Sequence, residues 1–443
     1  MRIQLSDHFT YGRLLRFTLP SMIMMVFTSI YGMVDGFFIS NFVGKTSFAA
    51  INLIYPMFMI IGSVGMMLGA GGTAVIGKTL GEGKRELANK YFSMVVYVVL
   101  AFGVFSAIIA LFLLRTVAQA LGAEGEMLEN CVKYGRILCP ALPFLMIQFS
   151  TQSFFVVAEK PKLGLVATLL GGGTNMVLDA LFVAVFKWGL QGAAAATAIS
   201  QLVTAGFALI YFSRKNTSLL KLTLKTKIYG KTLLNVCTNG SSEMVTNIAA
   251  SIVTIVYNTQ LMKYFGENGV AAYGVVMYVN FIFAAIYFGY AMGCSPVLSY
   301  HYGANNTDEL KNLLKKSLTM IGIAGVLMLI ISRIASPMLV KIFVGYDAEL
   351  YNLTCHAFKI YSFAFLIMGY SVFGSSFFTA LNNGGVSAAI SFIRTFIFET
   401  GSVLLLPIIF GSDGIWGAVV AAEIAAAIVT TAFLAANRKK YNY

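Results

Sequence analysis

Apolar runs of about 20 or more residues recur along the whole chain, separated by short polar breaks, and a run of that length is what one α-helix needs to cross a bilayer. The runs predict spans at 15–40, 47–77, 91–114, 133–158, 163–186 and 190–213, then at 235–263, 268–298, 312–334, 354–381, 385–410 and 414–436. Only 11% of the residues are charged, against about 25% in a soluble domain, so a soluble multidomain reading is excluded. Met1 to Arg16 is polar and basic, and the run after it is too long for the apolar core of a signal peptide; it reads as a first span that stays. The expected fold is all-α and integral to the membrane, with twelve transmembrane helices.

Basic residues orient the chain. If both termini lie on one side, that side collects more than twice as many Lys and Arg as the other, which places both termini in the cytoplasm of a multi-pass inner-membrane protein. The net charge of +13 is then mostly a cytoplasmic rim and calls for no nucleic acid.

The chain also contains itself twice. Phe48-Ala49-Ala50 faces Val270-Ala271-Ala272, Ser153-Phe154-Phe155 faces Ser376-Phe377-Phe378, and Gly189-Leu190-Gln191-Gly192-Ala193 faces Gly414-Ile415-Trp416-Gly417-Ala418, in the same order at a near-constant offset. Each half holds six spans and enters from the same side. That implies two six-helix bundles related by a pseudo-two-fold axis along the membrane normal: residues 1–213 and 232–443, joined by a basic cytoplasmic linker at 214–231. A cleft between two such bundles suits a carrier with alternating access.

Acids inside spans point to what is carried. A carboxylate at the bilayer centre costs about 3 kcal/mol, yet Asp35, Asp179, Glu243, Glu399 and Glu423 all fall within spans. Asp35 follows Pro20, which removes a backbone donor and should bend the first span. Asn175 and Asp179, four residues apart, share a helix face, and Gly171, Gly172 and Gly173 before them permit close helix approach. Two carboxylates and an amide facing one cavity can share a proton, or hold Na⁺ through oxygen ligands. Glu243 lies beside Asn239, Ser241 and Ser242 and reads as a possible second-half ion site. Arg394 needs a partner in the membrane; Glu399 is poorly aligned for it, and Glu243 or Glu423 is the better candidate. The 36 Phe, 22 Tyr and 21 Met supply adaptable apolar walls that can hold flat cations.

Other motifs carry less. Gly72 to Thr79 matches the GxxxxGK[ST] phosphate loop, but it ends an apolar span with no strand before it, so helix packing explains its glycines better than ATP binding. Cys131, Cys139, Cys237, Cys294 and Cys355 are scattered, without CxxC spacing, and read as packing residues rather than disulfides or structural metal ligands. His8, His301 and His356 fall near span ends. No enzyme motif is apparent, and no cofactor is expected.

On these residues the chain resembles the multidrug and toxic compound extrusion (MATE) transporters over essentially its full length. Pro20 before Asp35, Asn175 with Asp179, the loop after Leu80-Gly81 and the Gly189–Ala194 entry to the sixth span carry the resemblance. It implies an antiporter, active as a monomer in the lipid bilayer, that expels small cationic or amphipathic drugs or metabolites in exchange for H⁺ or Na⁺. It also implies a cation site at Asp35, Asn175 and Asp179, with Tyr134 and Thr197 accessory, and makes Glu243 the counterpart of a seventh-span acid. The tenth span, 354–381, holds no carboxylate, unlike members with a second-half Na⁺ site. Two rivals remain: a lipid-linked oligosaccharide flippase, which would want more cavity cations than Arg394, and a non-transporting polytopic receptor or structural protein, which needs neither buried acids nor a repeat.

Overall fold

The computed structural model describes residues 3–43, 45–345 and 347–443, without the side chains of Phe37, Ser40, Asn41, Lys45, Phe48, Glu267 and Ile342. Arg2 and the Lys45 side chain, which enter the charge asymmetry, and the Phe48 side chain, which enters the repeat, therefore lie outside the described residues.

The first half comprises α1 (Tyr11–Phe42), α2 (Lys45–Gly81), α3 (Arg85–Ala120), α4 (Gly125–Leu138), α5 (Leu142–Val157), α6 (Pro161–Asp179) and α7 (Gly189–Ser213). The second comprises α8 (Gly230–Gly303), α9 (Thr307–Val344), α10 (Ala348–Tyr361), α11 (Ala364–Ala380), α12 (Gly384–Phe392), α13 (Thr400–Phe410) and α14 (Ser412–Tyr441). Among the described residues there is no strand. Among the described residues, ten helical stretches are long and apolar enough to cross a membrane, and eleven if α10 and α11, bent by 49°, make one span. The expected seventh span, 235–263, is helical but is not among them; Asn235, Asn239, Ser241, Ser242, Glu243 and Asn247 dilute it.

Local chemistry explains the joints. α8 reverses at Gly266, whose φ of 61° and ψ of −148° suit glycine alone, so the spans 235–263 and 268–298 lie on either side of one residue. The fourth span of each half is interrupted. A 3₁₀ turn at Cys139–Ala141 parts α4 from α5, next to Pro140 and Pro143, and the 49° bend parts α10 from α11. The fifth span of each half widens into a π-helix, at Ala180–Val185 after α6 and at Ile393–Glu399 after α12. α1 runs as one helix through the buried Pro20.

The halves meet most closely at the end where both chain termini lie. A Cβ at Gly71 would strike the Val236 carbonyl oxygen, one at Gly240 the Met67 carbonyl oxygen, one at Gly81 that of Tyr300, and one at Gly303 that of Lys78. Glycines here let α2 and α8 touch backbone to backbone. Gly71→Leu should therefore wedge the helices apart and raise maleimide labelling of Cys237, the partly buried neighbour of Val236, several-fold in a Cys355→Ser background. An unchanged labelling rate would refute the role of this contact.

A strap of chain before α1 spans both halves at the same end. Leu5 and Phe9 are fully buried. Glu159 of the first half accepts the Leu5 N–H at 2.8 Å. Glu309 of the second accepts the Phe9 N–H at 2.9 Å and lies 2.6 Å from His8 Nδ1, while the Phe9 carbonyl accepts from Asn312 at 3.0 Å and Lys316 at 2.6 Å. Glu309→Ala removes the charged acceptor and should speed amide hydrogen exchange of residues 3–10 by about tenfold or more, the size of one hydrogen bond to a charged group. Exchange at the wild-type rate would mean that the burial of Leu5 and Phe9 alone holds the strap.

Candidate functional site

Two polar centres lie inside this helical frame. The first is a chamber within the N-terminal half, between α1 and α6. Gly172 of α6 packs against the rings of Phe27 and Tyr31, and Gly171 against Thr204 of α7, so α6 sits close to both neighbours; Gly173 meets nothing. That brings Asp179, fully buried, next to Asp35. Neither oxygen of Asp179 has a donor among the described residues, nor does Oδ1 of Asp35. Asn175, one turn before Asp179 and 2% exposed, also keeps its Oδ1 without a donor. Tyr31, Tyr55 and Tyr134 stand within electrostatic range of Asp35, and Thr197 lies beside Tyr134. Two ionised carboxylates about 4 Å apart at an effective dielectric of about 20 would repel by about 4 kcal/mol. A proton or a metal cation between the oxygens of such a pair would relieve that repulsion.

The second centre is a cavity of about 120 Å³ between the halves. Met25, Met66, Thr73 and Gln152 line it from the first half; Glu243, Ser371 and Arg394 are among its residues from the second. Asp35, Asn175 and Asp179 do not line it, so the two centres are separate. Arg394 pairs with Glu423 of α14 rather than with Glu243, through Nε at 3.0 and 3.1 Å and Nη2 at 2.6 Å. Glu399, five residues on and also in the π-helix, is not a lining residue; its charge acts on Arg394 and on Tyr257, Tyr273 and Tyr361. Of the possible second-half site residues Glu243, Arg394 and Glu399, the first two share the cavity and Glu399 does not line it.

Gly72 to Thr79 is continuous helix within α2, with Gly72 against Phe154 and Gly77 against Ser299, and forms no open phosphate cradle. All five cysteines are free. Among the described residues, no group of three or more His, Cys, Asp or Glu is arranged to hold a metal ion, so a Na⁺ ion at Asp35 and Asp179 would rely on the Asn175 amide and the tyrosine oxygens.

Sequence reasoning missed Tyr31 and Tyr55, and it missed the hydroxyl lining of the cavity. For the latter a signal existed. Ser371, Ser375 and Thr379, like Ser387 and Ser391, recur every four residues, on one helix face. The structure joins these faces through Ser375–Ser391 at 2.9 Å and Thr379–Ser387 at 2.7 Å.

The family model described as MatE matches residues 20–181 and 243–401. The "Multidrug export protein MepA" of Staphylococcus haemolyticus (strain JCSC1435) is 26% identical over 420 residues, covering 94% of this chain and 91% of that protein. That of Staphylococcus aureus (strain MRSA252) is 24% identical over 408 residues, covering 92% and 88%. Among solved structures, one described as the outward-facing conformation of a multidrug resistance MATE family transporter of the MOP superfamily superposes with a TM-score of 0.93 at 22% identity, over 98% of this chain and 97% of that one. A MOP superfamily transporter from Pyrococcus furiosus, whose description reports a binding pocket of reversed polarity, superposes with a TM-score of 0.91 at 22% identity, over 98% of both chains.

Proposed function

We propose, since the chain belongs to the MatE family of membrane transporters, that it exports small organic cations through the cavity between its halves, in exchange for H⁺ or Na⁺ at the Asp35–Asp179 pair. The observation that carries this reading is the pair itself: two buried carboxylates lie side by side, and three of their four oxygens lack a donor among the described residues. Such a pair must take up a cation to be stable and must lose it to be reset, which is what coupling to an ion gradient requires. The export of drugs by relatives named multidrug export proteins supports the substrate side.

In this reading residues 1–213 and 232–443 rock against each other about the linker at 214–231, and both termini face the cytoplasm. The glycine contacts of α2 with α8 then form the closed cytoplasmic gate. The cavity offers Glu243 to the substrate cation, while the ion acts on the first half by changing the packing of α1 against α6. The test is efflux of a fluorescent organic cation from proteoliposomes under an imposed proton gradient, with and without Na⁺. Efflux driven by the gradient is expected, and its Na⁺ dependence names the ion. A wild-type protein that moves no cation under either gradient would sink the export reading.

A further inference from the structure

The linker between the halves has neither helix nor strand from Arg214 to Tyr229, yet it is fixed along one face of α3. Lys90, Ser93, Met94 and Tyr97 share that face by their spacing of three and four. The Lys221 N–H donates to Asn89 Oδ1 at 2.8 Å, the Thr223 N–H to Ser93 Oγ at 2.9 Å, and Thr226 Oγ1 to the Lys90 carbonyl at 2.8 Å. Tyr97 donates to the Thr223 carbonyl at 3.2 Å, and Arg85 to that of Ser218 at 2.8 Å. The Tyr229 ring meets that of Tyr91 edge-on at 5.1 Å. With the backbone tied down, some side chains must turn outward. Leu219, Leu220 and Leu222 pack on the core, but Leu224 is 91% exposed and Ile228 76%. Lys221, Lys225, Lys227 and Lys231 surround this pair, all exposed and without an ion pair among the described residues. Two bare aliphatic side chains on a fixed backbone cost free energy in water that an apolar medium recovers.

We propose that the linker is an interfacial anchor for anionic phospholipid: Leu224 and Ile228 enter the acyl boundary beside α3, and Lys221, Lys225, Lys227 and Lys231 hold phosphate headgroups. Depth favours a lipid over a protein partner. Ser93 and Tyr97, which bind Thr223 from both sides, fall inside the third predicted span, 91–114, so Leu224 hangs level with the first turns of that span rather than out in an aqueous loop. Tyr91, Tyr97 and Tyr229 around it are of the type that gathers at the membrane–water interface. Charge complementarity then selects the lipid. A short apolar insertion or a few lysines alone bind a membrane weakly, and the two together bind an anionic one. The inference is independent of what the protein carries.

The experiment places a bimane fluorophore at Leu224→Cys or Ile228→Cys in a full-length Cys237→Ser, Cys355→Ser background, with Lys84→Cys, on the exposed loop before α3, as the water-facing control. Each protein is set singly into nanodiscs of equal phosphatidylglycerol and phosphatidylcholine, with a nitroxide high on the acyl chain of one lipid or the other. Both linker positions should be quenched, and by phosphatidylglycerol about fivefold more than by phosphatidylcholine, the enrichment that the attraction of one lysine to an anionic surface supports. In the quadruple variant Lys221→Gln, Lys225→Gln, Lys227→Gln and Lys231→Gln the ratio should fall to about one. The summed quenching should persist, because none of the four ammonium groups donates a hydrogen bond that holds the linker to α3. Linker labels quenched no more than the Lys84→Cys control overturn the proposal. Equal quenching by the two lipids overturns it as well, and so does a preference that survives the quadruple variant. Shielding that appears only with two copies in one disc would assign the apolar pair to a second copy of the chain and overturn it too.

Discussion

Asp35→Asn brings gradient-driven efflux of an organic cation down to the leak of protein-free vesicles, while the cation still binds the purified protein. Removing one carboxylate leaves Asp179 facing an amide, so the like-charge repulsion of about 4 kcal/mol on which the proposed coupling rests disappears. Asp179 can then stay ionised or neutral without consequence for its partner, and the gradient loses its lever. Binding persists because Asp35 does not line the central cavity. Asp179→Asn should behave alike, since neither oxygen of Asp179 has another partner among the described residues. The measurement is efflux under an imposed gradient beside equilibrium binding in detergent. Full efflux by Asp35→Asn would move the coupling site elsewhere, with Glu243 the next acid to replace.

Arg394→Ala destabilises the protein by about 3–5 kcal/mol, the cost of leaving one partner of a buried ion pair alone. Glu423 is 4% exposed in its side chain and has the guanidinium as its ion-pair partner, held by three hydrogen bonds, so the truncation strands a largely buried carboxylate without its counter-charge. Thermal melting in detergent reads the effect as a large drop in Tm. Adding Glu423→Gln should restore most of the loss, because a neutral amide costs far less to bury than a charge. Equal melting of wild type and Arg394→Ala would show that lipid headgroups or water reach Glu423, against its burial.

Much of this was legible in the residues. Apolar runs are local and strong, so the helices followed from them and the two bundles from the internal repeat, although the helices can outrun the predicted spans: α2, for one, covers Lys45–Gly81 against a predicted 47–77. The shared face of Asn175 and Asp179 was legible too, because a spacing of four is a property of one helix. What joins different helices was not. That Asp179 faces Asp35 depends on how deeply α6 settles against α1 at Gly172, which no spacing encodes. Arg394 had two candidate partners on other helices, and only packing selects Glu423. The π-helices at Ala180–Val185 and Ile393–Glu399 have no sequence signature; each lies at charged residues, where such turns frequently occur in functional sites. The strap escaped notice because Leu5 and Phe9 sit in a short polar segment with no periodicity to read.

That strap also sets a limit on movement. Four residues separate its anchor on Glu159 from its anchor on Glu309, and four residues of fully extended chain reach about 14 Å. While both carboxylates hold, the two halves cannot part further at this end than that leash allows. A larger opening needs one anchor to let go first, so any parting of the halves at this end carries its own stop, written in the length of a loop rather than in the shape of the cavity.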